Sequence, residues 1–305
     1  MKKQYLILLI LIIVISIFLG SFYLYQKKAT NGLIMLIEFE KIEGVLNWEK
    51  ELDKRNIGAL VKVQDNVLNE YPDVFKRLAN KGYEIAGGYD SEPFWDMPYE
   101  NQYQYMKEAQ ELIYNITGKK MKVFGSRYFA YDENTLKAAD ALGIEYVLAR
   151  GTQGVKAIVY APKEYNVKII SVSNIEFEEM GSGSLCDYSL WARGADANDF
   201  KKVVEGSLLK GSENLILVSH AYLGGTRTEW WNVYQNALSS KNIVWTSFDA
   251  WILKAKQISA SNKDIPINKE VKYVAPTPAK EIEDFEPIPG LEQLIEEETF
   301  CPACY

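Results

Sequence analysis

The chain has 305 residues, 48% of them apolar, and a formal net charge of −7 at a sequence pI near 5.1. That apolar content can fill one sizeable core, and barrel-type folds use more than roughly 200 residues as a single unit. The acidic balance excludes a nucleic-acid binder, since nothing offers a basic field to phosphates.

The first predicted element is the most apolar. YLILLILIIVISIFLGSFYLY, residues 5–25, is an uncharged run of 21 residues between Lys2-Lys3 and Lys27-Lys28. As one helix it spans a hydrocarbon core of about 30 Å. No Ala-x-Ala cleavage site or lipobox cysteine accompanies it, so it reads as a retained signal anchor, with a removed signal peptide as the alternative. The slight excess of positive charge before the run places the N-terminus inside and the bulk of the chain on the extracytoplasmic side. Residues 1–32 are thus expected to be a membrane anchor and tether.

From residue 33 onward, short β-type runs alternate with amphipathic helical patterns. Strands are predicted at 33–39, 58–63, 83–86, 122–125, 145–148, 156–160, 167–172, 214–219 and 243–247. Helices are predicted at 44–55, 66–80, 99–117, 132–142, 198–210, 226–240 and 249–258. In 66–80, Val67, Leu68, Tyr71, Val74, Phe75, Leu78 and Ala79 recur at spacings that give one apolar face. Gly82 and Gly143 follow helical runs where a left-handed cap is wanted. Such alternation predicts a parallel α/β architecture, an open sheet or a barrel, over residues 33–260. Beyond it, residues 281–298 hold eight carboxylates and no base, so 261–305 read as a flexible acidic tail containing proline. The tail ends in Cys301-x-x-Cys304, half of a four-ligand zinc site; a local disulfide, an intermolecular metal site and an idle tail all remain open.

Ligands of parallel α/β folds bind at the C-terminal ends of the strands. The predicted strands deliver to that rim Glu38 and Glu40, the loop from Gly87 to Glu92, Arg127, and His220, the one histidine of the chain. Each has a plainer reading, as a solvated strand edge, a surface ion pair or a satisfied structural histidine. Their joint placement is what favours a site.

The order of these features resembles the polysaccharide deacetylase, or NodB-homology, family of carbohydrate esterases. IGALVKVQDNVLNEYPDVFKRLANKGYEIAGG (57–88) is similar to its second strand, helix and third strand. FGSRYFAYDENTLKAADALGIEYVLA (124–149) resembles its arginine motif with the next helix and strand. LILVSHAYL resembles its late Leu-His motif, and DYSLWARGADANDF (187–200) its Asp-and-Trp segment. The resemblance implies a distorted (β/α) barrel that removes N- or O-acetyl groups from glycans with a divalent metal held by Asp-His-His. It places Glu38 as the base, Glu40 as the metal carboxylate, Arg127 as the arginine orienting the base and His220 as the acid. The sequence departs from the family where the metal histidines stand: Tyr83 replaces the first histidine of that motif, and the two ligand positions read Gly88 and Glu92. Glu40 and Glu92 remain as oxygen ligands for a hard divalent cation, with Asp90 beside them. Tyr128 and Phe129 occupy the place of the prolines after the arginine.

Three alternative functions compete: a membrane-anchored deacetylase acting on cell-envelope glycans; a pseudoenzyme binding glycans through Tyr89, Phe94, Trp95, Tyr128 and Trp191; and, without support from the motif order, a metal-independent glycoside hydrolase using Glu38 or Glu40 with Glu92.

Overall fold

The computed structural model describes residues 29–38, 42–95, 97–151, 156–177, 181–210, 214–266, 286–291 and 293–294. The predicted span 5–25 and the cysteines Cys301 and Cys304 lie outside them. Among the described residues no helix is long and apolar enough to cross a membrane.

Strands β1 (Thr30–Glu38), β2 (Leu60–Gln64), β3 (Glu84–Tyr89), β4 (Val123–Ser126) and β5 (Tyr146–Ala149) pair in sequence order, all parallel. Strand β10 (Asn214–His220) adds parallel to the free side of β1, and β11 (Ile243–Trp245) pairs with the start of β1. On the far side, β7 (Lys168–Ser171) follows β5, then β6 (Ile158–Pro162) and β12 (Gln257–Ala260). The β6–β7 pair is antiparallel. Five residues join them, far too few for the crossover that parallel pairing demands. A two-stranded hairpin, β8 (Asn174–Phe177) and β9 (Gly181–Ser184), completes the set.

The sheet curls until its edges approach. Val218 N–H donates to Leu185 C=O at 3.0 Å and Ala157 N–H to Asn214 C=O at 3.1 Å, so the gap beside β10 is bridged by loop backbone. The result is a distorted barrel with helices outside it. Strand β1 shows why. Leu33, Met35 and Ile37 join an inner apolar cluster, while Ile34 and Leu36 join the cluster under the helices. All nine residues of β1 are buried, as a strand covered on both faces must be.

The first helices are α1 (Glu43–Arg55), α2 (Asp65–Glu70), α3 (Pro72–Asn80), α4 (Tyr99–Thr117) and α5 (Glu133–Ala141). They are followed by α6 (Asp187–Trp191), α7 (Ala197–Lys210), α8 (Ala221–Gly224), α9 (Thr228–Leu238) and α10 (Phe248–Lys254). Trp48 of α1 is fully buried, donates its indole N–H to Ser219 Oγ at 3.2 Å, and meets Trp231 and Tyr234 of α9 edge-on at 4.9 and 5.0 Å. One side chain thereby ties two outer helices to β10. The bottom of the barrel is closed by Trp251, whose indole N–H donates to Asn31 C=O at 3.1 Å. The opposite, C-terminal end stays open.

Most predicted elements are present, with instructive differences. The helix expected over 66–80 breaks at Tyr71-Pro72, where φ −126° and ψ 52° take Tyr71 out of the helix. The proline ring forbids the helical conformation to the residue before it. The helix expected over 249–258 stops at Lys254, and Gln257–Ala260 instead pair with β6. Gly82 and Gly143 do adopt positive φ, at 89° and 63°. Part of the predicted tail is docked: Thr228 N–H donates to Glu286 C=O and Ile288 N–H to Thr226 C=O, at 3.1 and 2.9 Å, and Leu291 is 8% exposed. Three apolar residues, Ile288, Leu291 and Leu294, supply the adhesion that composition averaged over the tail conceals.

Candidate functional site

A cavity of about 480 Å³ opens at the C-terminal ends of the strands. Its wall is assembled from Ile37 of β1, Lys62 and Gln64 of β2, Asp90 after β3, Ser126 at the end of β4 with Arg127 to Phe129 after it, Arg150 after β5, and His220 at the end of β10. Gly183, Ser184, Cys186, Tyr188, Ser189, Ala192 and Arg193 close the remaining side.

The floor is a lysine. In β2, Val61 and Val63 face the helices and Leu60 faces the barrel interior, so the strand's two-residue period aims Lys62 inward. Its side chain is 2% exposed and its ammonium contacts Asp90 Oδ2 at 2.5 Å. The neighbouring strand makes room for it. A Cβ built on Gly88 would lie 3.3 Å from Lys62 Cγ and 2.9 Å from Val63 O. The position where the family resemblance expects a metal-binding histidine is therefore a bare backbone, with the lysine stem packed against it.

His220 is held from behind. Its Nδ1 lies 3.1 Å from Cys186 Sγ and 3.4 Å from Asp187 Oδ1, and Tyr188 packs on the ring at a centroid distance of 4.8 Å. That leaves Nε2 on the ring edge away from Asp187. Asp187 is fully buried and multiply bonded: Oδ1 accepts from the N–H of Tyr188 at 2.6 Å and of His220 at 2.9 Å, and Oδ2 accepts from Ser219 Oγ at 3.0 Å. Burial, reinforced by the Asp187 charge, pushes the Cys186 thiol well above its ordinary range. A thiol kept protonated is a poor nucleophile, so Cys186 packs and donates to Asp187 rather than attacking. Burial first, and then the same charge, also push the Tyr234 hydroxyl up.

Two donor sets bear on a metal. Cys186, Asp187 and His220 bring three potential ligand atoms within 4.8 Å of one another. The lone pairs of Asp187 are spent on two backbone N–H groups and a hydroxyl, so this set serves to fix the histidine. Around Gly88 the available cation is the ammonium of Lys62, and its carboxylate partner is already engaged. Neither set fits the Asp-His-His metal that the resemblance implies.

Arg127 lines the cavity, donates from Nη1 to Ser91 C=O at 2.8 Å and lies 5.0 Å from the centre of the Tyr128 ring. Tyr128 and Phe129 have φ of 60° and 53°, left-handed values that cost a non-glycine residue about 1–3 kcal/mol each. Bonds from Ser126 Oγ to Ala130 C=O at 2.5 Å and from Ala130 N–H to Arg127 C=O at 3.1 Å clamp this turn.

Of the predicted site residues, Arg127, Tyr128 and His220 meet in the cavity. Glu38 does not. Ile37 points inward, so Glu38, one residue on, is fully buried on the helix side near Tyr71, whose hydroxyl is pushed up to about 12 by its bond to Glu70 first, then by burial, with the Glu38 charge a lesser contribution. Glu40 lies outside the described residues. Glu92 is exposed and does not line the cavity. Tyr89 stacks on Tyr105 at 4.1 Å, Trp95 is half-buried off the cavity, and Trp191 is 4% exposed in the core. Sequence reasoning missed Lys62, Arg150, Arg193 and Tyr188, and named Asp90 only as a substitute ligand. Lys62 had left a signal: one charge inside the apolar run ALVKV.

Comparison with known proteins agrees with this architecture. Residues 47–147 match the polysaccharide deacetylase family. The match covers about a third of the chain. No curated protein matches the chain. A putative polysaccharide deacetylase from Mycobacterium smegmatis superimposes with a TM-score of 0.59 at 11% identity, over 78% of this chain and 96% of that one. A probable polysaccharide deacetylase from Pseudomonas aeruginosa PAO1 gives 0.58 at 14% identity, over 79% and 94%. A mutant of a CE4 family pseudoenzyme with restored enzymatic activity gives 0.53 at 9% identity, over 76% and 70%. At these identities the structural likeness establishes the deacetylase-type barrel, and the chemistry rests on the site.

Proposed function

We propose that this polysaccharide deacetylase-like protein is a glycan-binding pseudoenzyme, held at a membrane surface by residues 5–25 with its barrel on the extracytoplasmic side. The observation that carries the reading is Lys62, paired with Asp90 and packed over Gly88 where a metal ligand would stand. A metal-dependent deacetylase needs a Lewis acid to polarise the acetyl carbonyl and a water to attack it. The ammonium supplies a fixed positive charge there but no vacant coordination position. The base expected at Glu38 faces away from the cavity, which also removes it from the carboxylate pair of a glycoside hydrolase.

One observation favours retained hydrolysis as a second reading. Cys186 Sγ at 3.1 Å and Asp187 Oδ1 at 3.4 Å occupy the Nδ1 side of His220, which leaves Nε2 for the proton transfer that an acid acting on a leaving amine requires. The readings separate in one experiment: metal content of the purified chain, acetate release from chitin oligomers and peptidoglycan, and affinity for the same glycans. Glycan binding with neither stoichiometric metal nor acetate release is expected. Acetate release lost in His220→Ala would overturn the pseudoenzyme reading. Protease protection in sealed vesicles tests the topology, and digestion of the barrel from the cytoplasmic face would sink it.

A further inference from the structure

Among the described residues, the cavity lining gathers more cations than carboxylates. Within a protein of formal net charge −7, the described lining residues include four cations, Lys62, Arg127, Arg150 and Arg193, against one carboxylate, Asp90. Lys62 and Asp90 form the closed pair of the floor, and Arg127, Arg150 and Arg193 are the other cations of the described lining. They come from three separate places, the turn after β4, the end of β5 and the segment after α6. The fold has thus gathered them from positions distant in sequence.

Two of these arginines sit in walls shaped around them. Arg127 lies beside the ring of Tyr128, in the turn held at a left-handed φ. Arg193 lies across β9 at a glycine: a Cβ on Gly183 would fall 2.3 Å from Arg193 Nη1 and 2.6 Å from Ser189 Oγ. No side chain larger than hydrogen leaves that guanidinium in place. A guanidinium carries five N–H donors in a fixed fork, so one that already holds a neighbour still presents donors to an oxyanion. Ser184, Ser189 and Tyr188 add neutral hydroxyls to the same cavity.

We infer that this cavity takes a saccharide bearing an oxyanion, a carboxylate or a phosphate, with the oxyanion received by Arg127, Arg150 and Arg193. The inference rests on the glycan-binding reading above and names its ligand class. A chain of net charge −7 repels such a polymer at long range, and guanidinium forks gathered in one concavity supply local donors that favour its oxyanion.

The test is titration calorimetry of the full chain with four probes at low and high salt: uronate-containing oligosaccharides, a glycerol-phosphate polymer, neutral chitin oligomers, and inorganic phosphate alone. At least one oxyanion-bearing saccharide is expected to bind about tenfold or more tightly than neutral oligomers, with affinity falling as salt rises. The uronate and phosphate arms identify which oxyanion is preferred. Arg150→Gln and Arg193→Gln should each weaken that binding by about fivefold or more while the melting curve stays in place, and Arg193→Lys should restore part of the loss. Equal affinity for neutral oligomers, insensitive to salt and to both glutamine variants, would overturn the inference while leaving glycan binding intact. Binding of inorganic phosphate alone, lost in Arg193→Gln, would keep the anion site and overturn the glycan reading. Absence of binding by all four probes overturns both.

Discussion

The Lys62–Asp90 pair makes a prediction whose size depends on burial. Asp90→Asn leaves an ammonium whose side chain is 2% exposed without its carboxylate. Stranding a buried charge costs about 3–5 kcal/mol. Lys62→Met leaves a carboxylate that is 16% exposed and borders the open cavity, so water can take up part of the loss and the expected cost is about 1–3 kcal/mol. In the double variant a thioether and an amide occupy the former pair, and no charge is stranded. It should lie within about 2 kcal/mol of the parent, giving a coupling of roughly 2–8 kcal/mol. Urea unfolding of the four proteins at neutral pH measures the cycle, and for a domain of this size each kcal/mol moves Tm by about 2–4 °C. If Asp90→Asn falls within about 0.5 kcal/mol of the parent, Lys62 is not a stranded internal cation. The case against a metal at Gly88 then loses its basis.

Truncation after residue 266 should lower Tm by a few degrees, because it removes Leu291 and the backbone bonds to Thr226 and Thr228, together about 1–3 kcal/mol; an unchanged Tm would return the whole tail to linker status. Glu49 is partly desolvated, which opposes ionisation, but bonds from Arg77 at 2.8 and 2.9 Å and from Lys81 at 2.6 Å prevail and hold its carboxyl below the usual value. Its contribution is therefore present above the unfolded pKa near 4.5 and lost as pH falls through the lower folded value. Glu49→Gln should accordingly flatten the acid limb of the stability–pH curve, and an unaltered limb would contradict this. In a Cys301→Ser/Cys304→Ser background, Cys186 should resist an aromatic disulfide reagent at pH 8 and react on unfolding; rapid labelling of the native chain would refute its assignment as a buried, protonated thiol.

The periodic pattern of the sequence determined a great deal: strand and helix alternation from β1 to β10, the parallel pairing that long helical crossovers impose, and the left-handed glycines after α3 and before β5. Local chemistry carried those outcomes, since hydrophobic period and cap residues act within a few positions. The strand-end rule by itself also brought Arg127 and His220 to one cavity. What tertiary structure alone decided was facing and partnership. Strand period is two, so the side on which Glu38 falls depends on which of Ile37 and Leu36 meets the barrel interior, and both are equally apolar. Arg150 and Arg193 reach the same space as Arg127 only because the sheet curls. The docked segment at Ile288 and Leu291 likewise depends on a surface offered by α9, some sixty positions earlier. Whether the cleft is metallic turned on a third dimension as well, where the stem of Lys62 lies over a glycine from the neighbouring strand and its charge finds Asp90.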